Sequence, residues 1–393
     1  MTNDAEKYAL RGVSANKTDV HAAIKNMDKG LFPTAFCKIL PDFVGHDADY
    51  CNIMHADTAG TKTSLAYLYW RETGDLSVWK GIVQDAIVMN LDDMACVGCV
   101  DDIVLSSTIG RNKSLISGDV VKTLIEATVE FADTMRGFGV NIHLAGGETA
   151  DVGDIVRTVD VGYTAFARMK RKNLVINNVQ AGDVIVGFSS SGQSIYENAY
   201  NGGMGSNGLT SARHDVLAHS YADSFPESFN PATPRSVVYS GSKKLTDTLV
   251  IEGQEITVGK LVLSPTRTYL PLLKKILSDT EGSQIHGIIH NTGGGQTKVL
   301  KFVKDVHIVK NNLFDVPPLF KMIQSESETD WREMYQVFNM GHRLEVYCTQ
   351  NAVENLVNTA KNLNIDAQIV GYVKNTEGGE HLTIESHYGT FQY

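Results

Sequence analysis

Short apolar segments that end in runs of small residues recur along this chain, twice in each half. The four pairs of segment and run are residues 53–56 with 57–62, 141–144 with 145–149, 183–188 with 189–192, and 288–290 with 292–295. Apolar stretches of this length are typical of buried strands, and small residues with glycine are typical of the turns that follow them. Because amphipathic helical patterns accompany these strands, we predict an α/β fold of the α+β type, built as two domains.

The boundary between the two domains is expected where this patterning is interrupted. A cationic run at residues 168–172 is followed by polar residues up to Gly182, after which strand patterning restarts. We therefore predict an N-terminal domain over residues 1–172 and a C-terminal domain over residues 173–393. Residues 193–208 are rich in Gly, Asn and Tyr and are interpreted as a loop insertion in the second domain.

Two helices and a long strand are predicted in the first domain. One helix opens at Asp75 or Ser77 and carries apolar residues near helical spacing. The other runs from about residue 119 to residue 136, with Gly137 placed as the glycine that ends it. The strand covers residues 158–169, with Val159, Val161 and Tyr163 on one face.

Charge and cysteine usage bear on partners and compartment. The 393 residues include 35 Lys and Arg against 45 Asp and Glu, a net charge of −10, which argues against nucleic acid or an anionic membrane as partner. No eighteen apolar residues run together, and the first residues lack the apolar core of a signal peptide. The five cysteines form no disulfide framework, and Cys96 and Cys99 are assigned to packing at a helix end. A cytoplasmic protein is the expectation.

Acidic residues beside these runs point to metal and phosphate chemistry. Asp57 ends a strand just before Gly60, Thr61 and Lys62, so its carboxylate could hold Mg²⁺ while backbone N–H groups and the lysine face phosphate. The alternative is an ordinary strand-to-helix turn with a solvated lysine.

The first predicted helix carries Asp85, Asp92 and Asp93. Asp85 and Asp92 lie two turns apart on one side, and Asp93 lies about 100° round the helix. Burying such carboxylates unpaired is costly, and a divalent cation would remove that cost. The alternative is that the three aspartates face solvent.

Three further runs could bring anionic ligands close to the main chain, because glycine leaves backbone N–H groups accessible. Glu148 follows the first run and adds a carboxylate, and His290 precedes the last as a candidate base or hydrogen-bond donor. A structural histidine is the alternative for His290. The residues of interest in these runs are Gly146, Gly147, Ser190, Gly192, Thr292, Gly293 and Gly294.

The order of these motifs resembles that of one enzyme family, the phosphoribosylformylglycinamidine cyclo-ligases, also called aminoimidazole ribonucleotide synthetases. The resemblance covers roughly residues 53–372 and includes two strings that look specific to the family, Ser-Pro-Thr-Arg at residues 264–267 and Glu-Met-Tyr…Phe-Asn-x-Gly at residues 333–341. It implies an N-terminal sheet domain that forms a homodimer and a C-terminal α/β domain. It also implies a nucleotide cleft between the domains, completed near the dimer interface.

The resemblance further implies a ligase of purine biosynthesis that uses ATP and Mg²⁺ to close formylglycinamidine ribonucleotide to 5-aminoimidazole ribonucleotide, releasing ADP and phosphate. On this resemblance the catalytic candidates are Lys62, Asp93 and His290, and the Mg²⁺ ligands are Asp57, Asp93 and Glu148. Asn207 and Arg267 are the substrate contacts. The ATP contacts are Asp57, Gly60, Thr61, Lys62, Asp92, Gly146, Gly147, Ser190, Gly192, Thr292, Gly293 and Gly294.

Three features depart from the family pattern. Residues 30–38 contain one glycine where the family usually has a glycine-rich segment that closes over ATP. Asp92 stands where the family has asparagine, and Gly205 stands where it often has histidine.

Two alternatives are open. One is a paralogous ATP-using enzyme of the same superfamily, such as selenophosphate synthetase or thiamine-monophosphate kinase, and the other is a non-catalytic nucleotide-binding protein. A reactive cysteine with a lysine near the N-terminus would favour selenophosphate synthetase, and the one pair that resembles this, Cys37–Lys38, is interpreted as incidental.

Overall fold

Two large β-sheets organise the chain in a computed structural model that describes residues 9–12, 23, 26–376 and 378–393. The first sheet has the order β1-β2-β5-β3-β4. Its strands are β1 (Ile39–Pro41), β2 (Tyr50–Thr58), β3 (Ile103–Arg111), β4 (Ile142–Asp151) and β5 (Val159–Lys170). Neighbouring strands are antiparallel except β3 and β4, which are parallel.

The second sheet has the order β14-β13-β10-β12-β6-β11-β9 and begins after the first sheet has ended. Its strands are β6 (Val184–Ser189), β9 (Ile285–His290), β10 (Val306–Lys310), β11 (His342–Cys348), β12 (Ala367–Asn375), β13 (His381–Ser386) and β14 (Gly389–Gln392). A separate hairpin pairs β7 (Thr248–Ile251) with β8 (Gln254–Thr257). The mixed architecture with two sheet domains agrees with the predicted fold class.

Ten α-helices accompany the sheets in the described residues. They are α1 (Lys62–Thr73), α2 (Val78–Ala95), α3 (Gly118–Gly137), α4 (Leu209–Val216), α5 (Ser220–Ser224), α6 (Val258–Val262), α7 (Leu270–Asp279), α8 (Pro318–Ser327), α9 (Trp331–Val337) and α10 (Val353–Asn362). None of these described helices combines the length and apolarity needed to cross a bilayer.

Helix α2 begins directly after Ser77, as predicted, but α1 is absent from the sequence-based prediction. Apolar and aromatic side chains are buried on most sides of α1, so its sequence has no clear apolar stripe. The end of α3 is also corrected. The left-handed residue after this helix is Gly139, with φ of 80°, and not Gly137.

Strand β4 runs through the glycines that were expected to form a loop at a strand end. Gly146 has φ of 80° where the pairing of β4 with β3 shifts its register, which is typical of a β-bulge. A Cβ on Gly147 would lie 2.1 Å from Ser107 Oγ, so only glycine fits there. The two glycines therefore serve strand pairing in this edge strand.

Helices cover one face of the first sheet, and the other face is open. Val159, Val161 and Tyr163 are buried on the covered face, as predicted for β5. On the open face, Met54 is 60% exposed and lies in register with Phe166, which lies in register with Val104. All five cysteines are buried and unbridged, which agrees with the packing role assigned to Cys96 and Cys99.

Candidate functional site

Two aspartates of α2 fasten the first domain to the segment between α6 and α7. Asp85 and Asp92 are fully buried and, two turns apart, face the same way. Asp85 accepts hydrogen bonds from the Thr266 N–H (2.8 Å) and hydroxyl (2.6 Å). Asp92 accepts from the Thr268 hydroxyl (2.7 Å) and the Tyr269 N–H (2.9 Å). Each carboxylate thus has partners within the protein, although Asp85 Oδ2 is buried without a hydrogen bond. The two aspartates therefore do not face solvent.

Lys62 completes this contact from the start of α1. Its fully buried ammonium group donates to Asp85 Oδ1 (2.8 Å) and to the Ser264 carbonyl (2.6 Å). Burial penalises both charged forms, which lowers the pKa of Lys62 and raises the pKa of Asp85. Both side chains are engaged between the domains, and the contact of Lys62 and Asp92 with ATP stays a prediction.

A hydrogen-bonded chain of three side chains joins α2 to the second sheet. Asp93 Oδ1 lies 2.7 Å from His290 Nδ1 at the end of β9, and Arg343 Nε at the start of β11 donates to His290 Nε2 at 2.9 Å. His290 and Arg343 are buried, while the Asp93 side chain is 15% exposed. This series of hydrogen bonds from Asp93 through His290 to Arg343 crosses the junction of the two domains, where a cleft was predicted.

This arrangement defines the tautomer of His290. The guanidinium can only donate, so Nε2 must accept, and the proton of the neutral ring is on Nδ1, which donates to Asp93. Proton transfer by His290 would require one of these two hydrogen bonds to open. The second oxygen of Asp93 lies 3.6 Å from His55 Nε2 on β2.

The insertion after β6 clamps the Ser-Pro-Thr-Arg segment. Glu197 accepts from Arg267 Nε (3.0 Å) and Nη2 (2.6 Å), and Nη1 of the same arginine donates to the carbonyls of Ser189 and Ser191. Asn201 adds a hydrogen bond to the Pro265 carbonyl at 2.7 Å. Arg267 is fully buried and its guanidinium is paired with Glu197, so a contact with substrate, which stays a prediction, would require these bonds to open.

Two of the predicted small-residue loops, at residues 57–62 and 292–295, each contact the start of α4. The hydroxyls of Thr61 and Thr210 are 2.7 Å apart, which joins the two helix N-termini. Asn207, just before α4, places Nδ2 3.5 Å from the position of a Cβ on Gly293. Helix N-termini and glycine-rich loops present N–H groups that attract anions, so this meeting point can bind phosphate.

The loop after β6 is held by the protein more tightly. The Ser190 hydroxyl is buried and donates to Asn339 Oδ1 at 2.8 Å, and the Gly192 N–H donates to the Asn201 carbonyl at 3.0 Å. Positive φ angles at Gly192 (91°) and Gly294 (102°) agree with the use of glycine at both loops. Gly60 also has a positive φ, 60°, with open space around its Cβ position.

The three expected Mg²⁺ ligands are not gathered into one cluster. Asp57 is level with Gly147 across β2, β5, β3 and β4, a separation of about 14 Å at the usual strand spacing. Glu148 is in register with Thr108 on the open face, whereas Asp57 shares the covered face with His55. Within residues 9–12, 23, 26–376 and 378–393, no three His, Cys, Asp or Glu side chains are close enough to hold an ion. The donors present do not form a magnesium site on their own.

Three residues at this site were missed by sequence reasoning. Arg343 and His55 lie within strands, Arg343 between His342 and Leu344 and His55 between Met54 and Ala56, and neither belongs to a small-residue run. Glu197 lies in the insertion, whose composition predicted only a loop. Residue spacing groups the aspartates within helix α2, but it does not predict contacts between segments that are far apart along the sequence.

The fold and site define a member of a known class. The family model described as "AIR synthase related protein, N-terminal domain" matches residues 40–169, and the model for the C-terminal domain matches residues 180–383. The chain therefore belongs to the AIR synthase-related family.

Among curated relatives, the chain is similar to proteins named phosphoribosylformylglycinamidine cyclo-ligase. It is 27% identical to that of Methanococcus vannielii over 85% of this chain and 82% of the relative, and 28% identical to that of Methanocaldococcus jannaschii over 83% and 79%. It is 26% identical to that of Caldicellulosiruptor saccharolyticus, over 91% of this chain and 93% of the relative. These relatives support the prediction that the chain is an enzyme of the ligase kind.

Solved structures support the fold. A HypE–HypF complex contains a chain that matches with a TM-score of 0.55 at 14% identity, over 96% of this chain and 98% of that chain. Phosphoribosylformylglycinamidine synthase II from Thermotoga maritima matches with a TM-score of 0.51 at 10% identity. That match covers all of this chain but only 51% of the length of the synthase.

Proposed function

We propose that this chain closes the imidazole ring of 5-aminoimidazole ribonucleotide from formylglycinamidine ribonucleotide, using ATP and releasing ADP and phosphate. The observation that carries the proposal is the Asp93–His290–Arg343 chain, which lies at the junction of the two family domains. The names of the relatives support the same reaction.

The chemistry explains why ATP is needed. An amide oxygen is a poor leaving group, so transfer of the γ-phosphoryl group of ATP to that oxygen gives an imidoyl phosphate and ADP. A nitrogen of the amidine then attacks the activated carbon, the ring closes, and phosphate leaves with the former amide oxygen. Catalysis of such steps depends on positioning and on neutralising the charge of the transferred group.

Phosphate binding is assigned to the meeting point of α1, α4 and the loop at residues 292–294. Gly60, Thr61 and Asn207 line this region together with Thr292, whose hydroxyl accepts a hydrogen bond from Lys298 at 3.3 Å. Magnesium is commonly held by one or two carboxylates together with substrate phosphates. Asp93 and Asp57 are the residues of this chain that we assign to such an ion, which would neutralise phosphate charge.

Purified protein should convert formylglycinamidine ribonucleotide and ATP with Mg²⁺ into aminoimidazole ribonucleotide, with one ADP for each ring closed. The measurement is a coupled ADP assay run beside chromatographic detection of the imidazole. ADP release without the imidazole would contradict the proposal, as would turnover that occurs only with selenide. Cys37 argues against selenide chemistry, because it is buried, and burial with Asp93 nearby raises the pKa of its thiol well above the usual range.

We also propose a homodimer formed through the open face of the first sheet. The apolar row of Met54, Phe166 and Val104 lies on this face, and Glu148 lies on the same face near the ends of the strands. Exposed apolar rows of this kind are typical of interfaces.

Sedimentation velocity tests the dimer. Met54→Glu should give a monomer, because a charge would be buried in the interface. Val250→Glu is the matched control, since Val250 is 72% exposed on the separate β7–β8 hairpin, and it should leave the dimer intact. A wild-type monomer at micromolar concentration would contradict this proposal.

A further inference from the structure

Arg343 is a buried cation to which the described chain supplies no carboxylate within ion-pair distance. It is 2% exposed, and Tyr269 presents its ring 5.3 Å from the guanidinium carbon. Nε donates to His290, and Nη2 donates to the Arg267 carbonyl. Nη1 is buried and has no hydrogen-bond partner. A buried N–H group without a hydrogen bond costs free energy. Arg343 Nη1 can therefore donate to an acceptor that the described chain does not provide.

The contrast with Arg267 is informative. Both arginines are buried, but Arg267 has Glu197 as a bidentate partner and two carbonyls on its remaining nitrogen. Asp92, the buried carboxylate on the neighbouring helix α2, is committed to Thr268 and Tyr269. Unlike Arg267, Arg343 therefore has no hydrogen-bonded carboxylate partner among the described residues.

The surroundings of Nη1 contain further unpartnered groups. Gly205 faces it, and a Cβ at that position would lie 3.6 Å from Nη1. The next residue, Ser206, has a buried hydroxyl without a partner. Asn291, whose N–H donates to the Arg343 carbonyl at 2.6 Å, has an unpartnered amide oxygen. Each of these two unpartnered polar groups thus belongs to Gly205's next residue or to a residue whose backbone is bonded to Arg343.

This place adjoins the proposed phosphate-binding loop. Asn291 leads directly into Thr292 and Gly293, and Lys298 adds a second positive charge to that loop through Thr292. Arginine matches the charge and geometry of phosphate oxygens better than other side chains do.

We infer that Arg343 binds a phosphate oxygen of the substrate. The identity of the substrate rests on the proposed function. The phosphate belongs either to the nucleotide or to the ribosyl substrate, which share this chemistry. The Gly205 segment covers Nη1 in the described chain, so it must shift when the ligand enters, and Arg343 is held ready by His290.

Calorimetric titration with two probes tests this inference. Wild-type protein and Arg343→Gln are each titrated with ADP plus Mg²⁺ and with ribose 5-phosphate. Arg343→Gln should weaken one probe by roughly 10- to 100-fold, because a charge-assisted hydrogen bond is lost, and leave the other unchanged. Weakening of ADP assigns Arg343 to the nucleotide, and weakening of ribose 5-phosphate assigns it to the ribosyl phosphate.

Arg213→Gln is the matched control. Arg213 is also a buried guanidinium with an unpartnered nitrogen, but it bonds to Ser228 and Tyr239, away from the glycine loop. This variant should bind both probes as wild type does. Weakening of the same probe by Arg213→Gln to the same extent would overturn the inference, since the effect would then reflect a general loss of structure.

Unchanged affinity for both probes in folded Arg343→Gln would also overturn the inference. If that variant does not fold, Arg343→Lys keeps the charge but loses the fork geometry. It should then weaken one probe only, and unchanged affinity for both would overturn the inference. Failure of the proposed function looks different, because wild-type protein would bind both probes and yet form no aminoimidazole.

Discussion

Replacing Lys62 by methionine tests whether this lysine holds the two domains together or binds phosphate. In the structure, its ammonium group is fully buried and donates to Asp85 and to the Ser264 carbonyl. Methionine has a similar length but removes the charge. Asp85 would keep the two hydrogen bonds from Thr266, but it would remain a buried carboxylate with no cation and with Oδ2 already unpartnered.

The expected loss follows from the burial of the pair. Removing one partner of a buried ion pair costs about 3–5 kcal/mol, a large part of the 5–15 kcal/mol that is a typical free energy of unfolding, as an order of magnitude. At about 2 °C for each kcal/mol in a domain of this size, the midpoint of thermal unfolding should fall by roughly 6–10 °C.

Thermal unfolding followed by fluorescence is the assay, with ADP binding measured beside it. The double variant Lys62→Met with Asp85→Asn should recover at least about half of the lost stability, because asparagine still accepts from Thr266 and carries no buried charge. A Lys62→Met protein within about 1 kcal/mol of wild type that no longer binds ADP would refute the reasoning. It would show that the ammonium group contacts phosphate.

Two further predictions concern buried charges in the second domain. Glu197→Gln should lower the free energy of unfolding by about 3 kcal/mol, because Arg267 loses its counter-ion; Lys80→Gln, at an exposed ion pair, is the control and should cost less than about 1 kcal/mol. Equal effects in urea unfolding would contradict this. Burial alone would raise the pKa of Glu345, but Lys310 and His342 together outweigh burial and the pKa falls to about 2. The stability from this carboxylate is therefore present above its ordinary pKa of 4.5 and lost as pH falls towards 2. Glu345→Gln should flatten the fall in stability between those pH values, and an unchanged slope would contradict the assignment.

Local patterns predicted the elements whose signal lies within a few residues. The helical spacing of Asp85 and Asp92 placed both on one side of α2, and the alternation of Val159, Val161 and Tyr163 placed them on the covered face of β5. In these elements, the residues that the helix or strand repeat places on one face are also the residues that are buried.

Glycine was a weaker guide, because the same residue serves several backbone needs. The glycines at residues 146–147 were expected to form a loop for phosphate, but they accommodate a bulge and a close strand contact within β4. Gly137 was expected to end α3, but the positive φ occurs at Gly139. Composition identifies where glycine is needed, and only the backbone path determines for which purpose.

The sequence by itself determined the family, the two-domain α/β architecture and the segments from which the site is built. Tertiary structure decided which charged residues are left for a ligand. Lys62, Asp92 and Arg267 each have a partner 70 or more residues away along the chain, whereas Arg343 lacks a carboxylate partner among the described residues. The physical reason is that a buried charge must find its partner in space, and no spacing along the chain reveals which partner it finds.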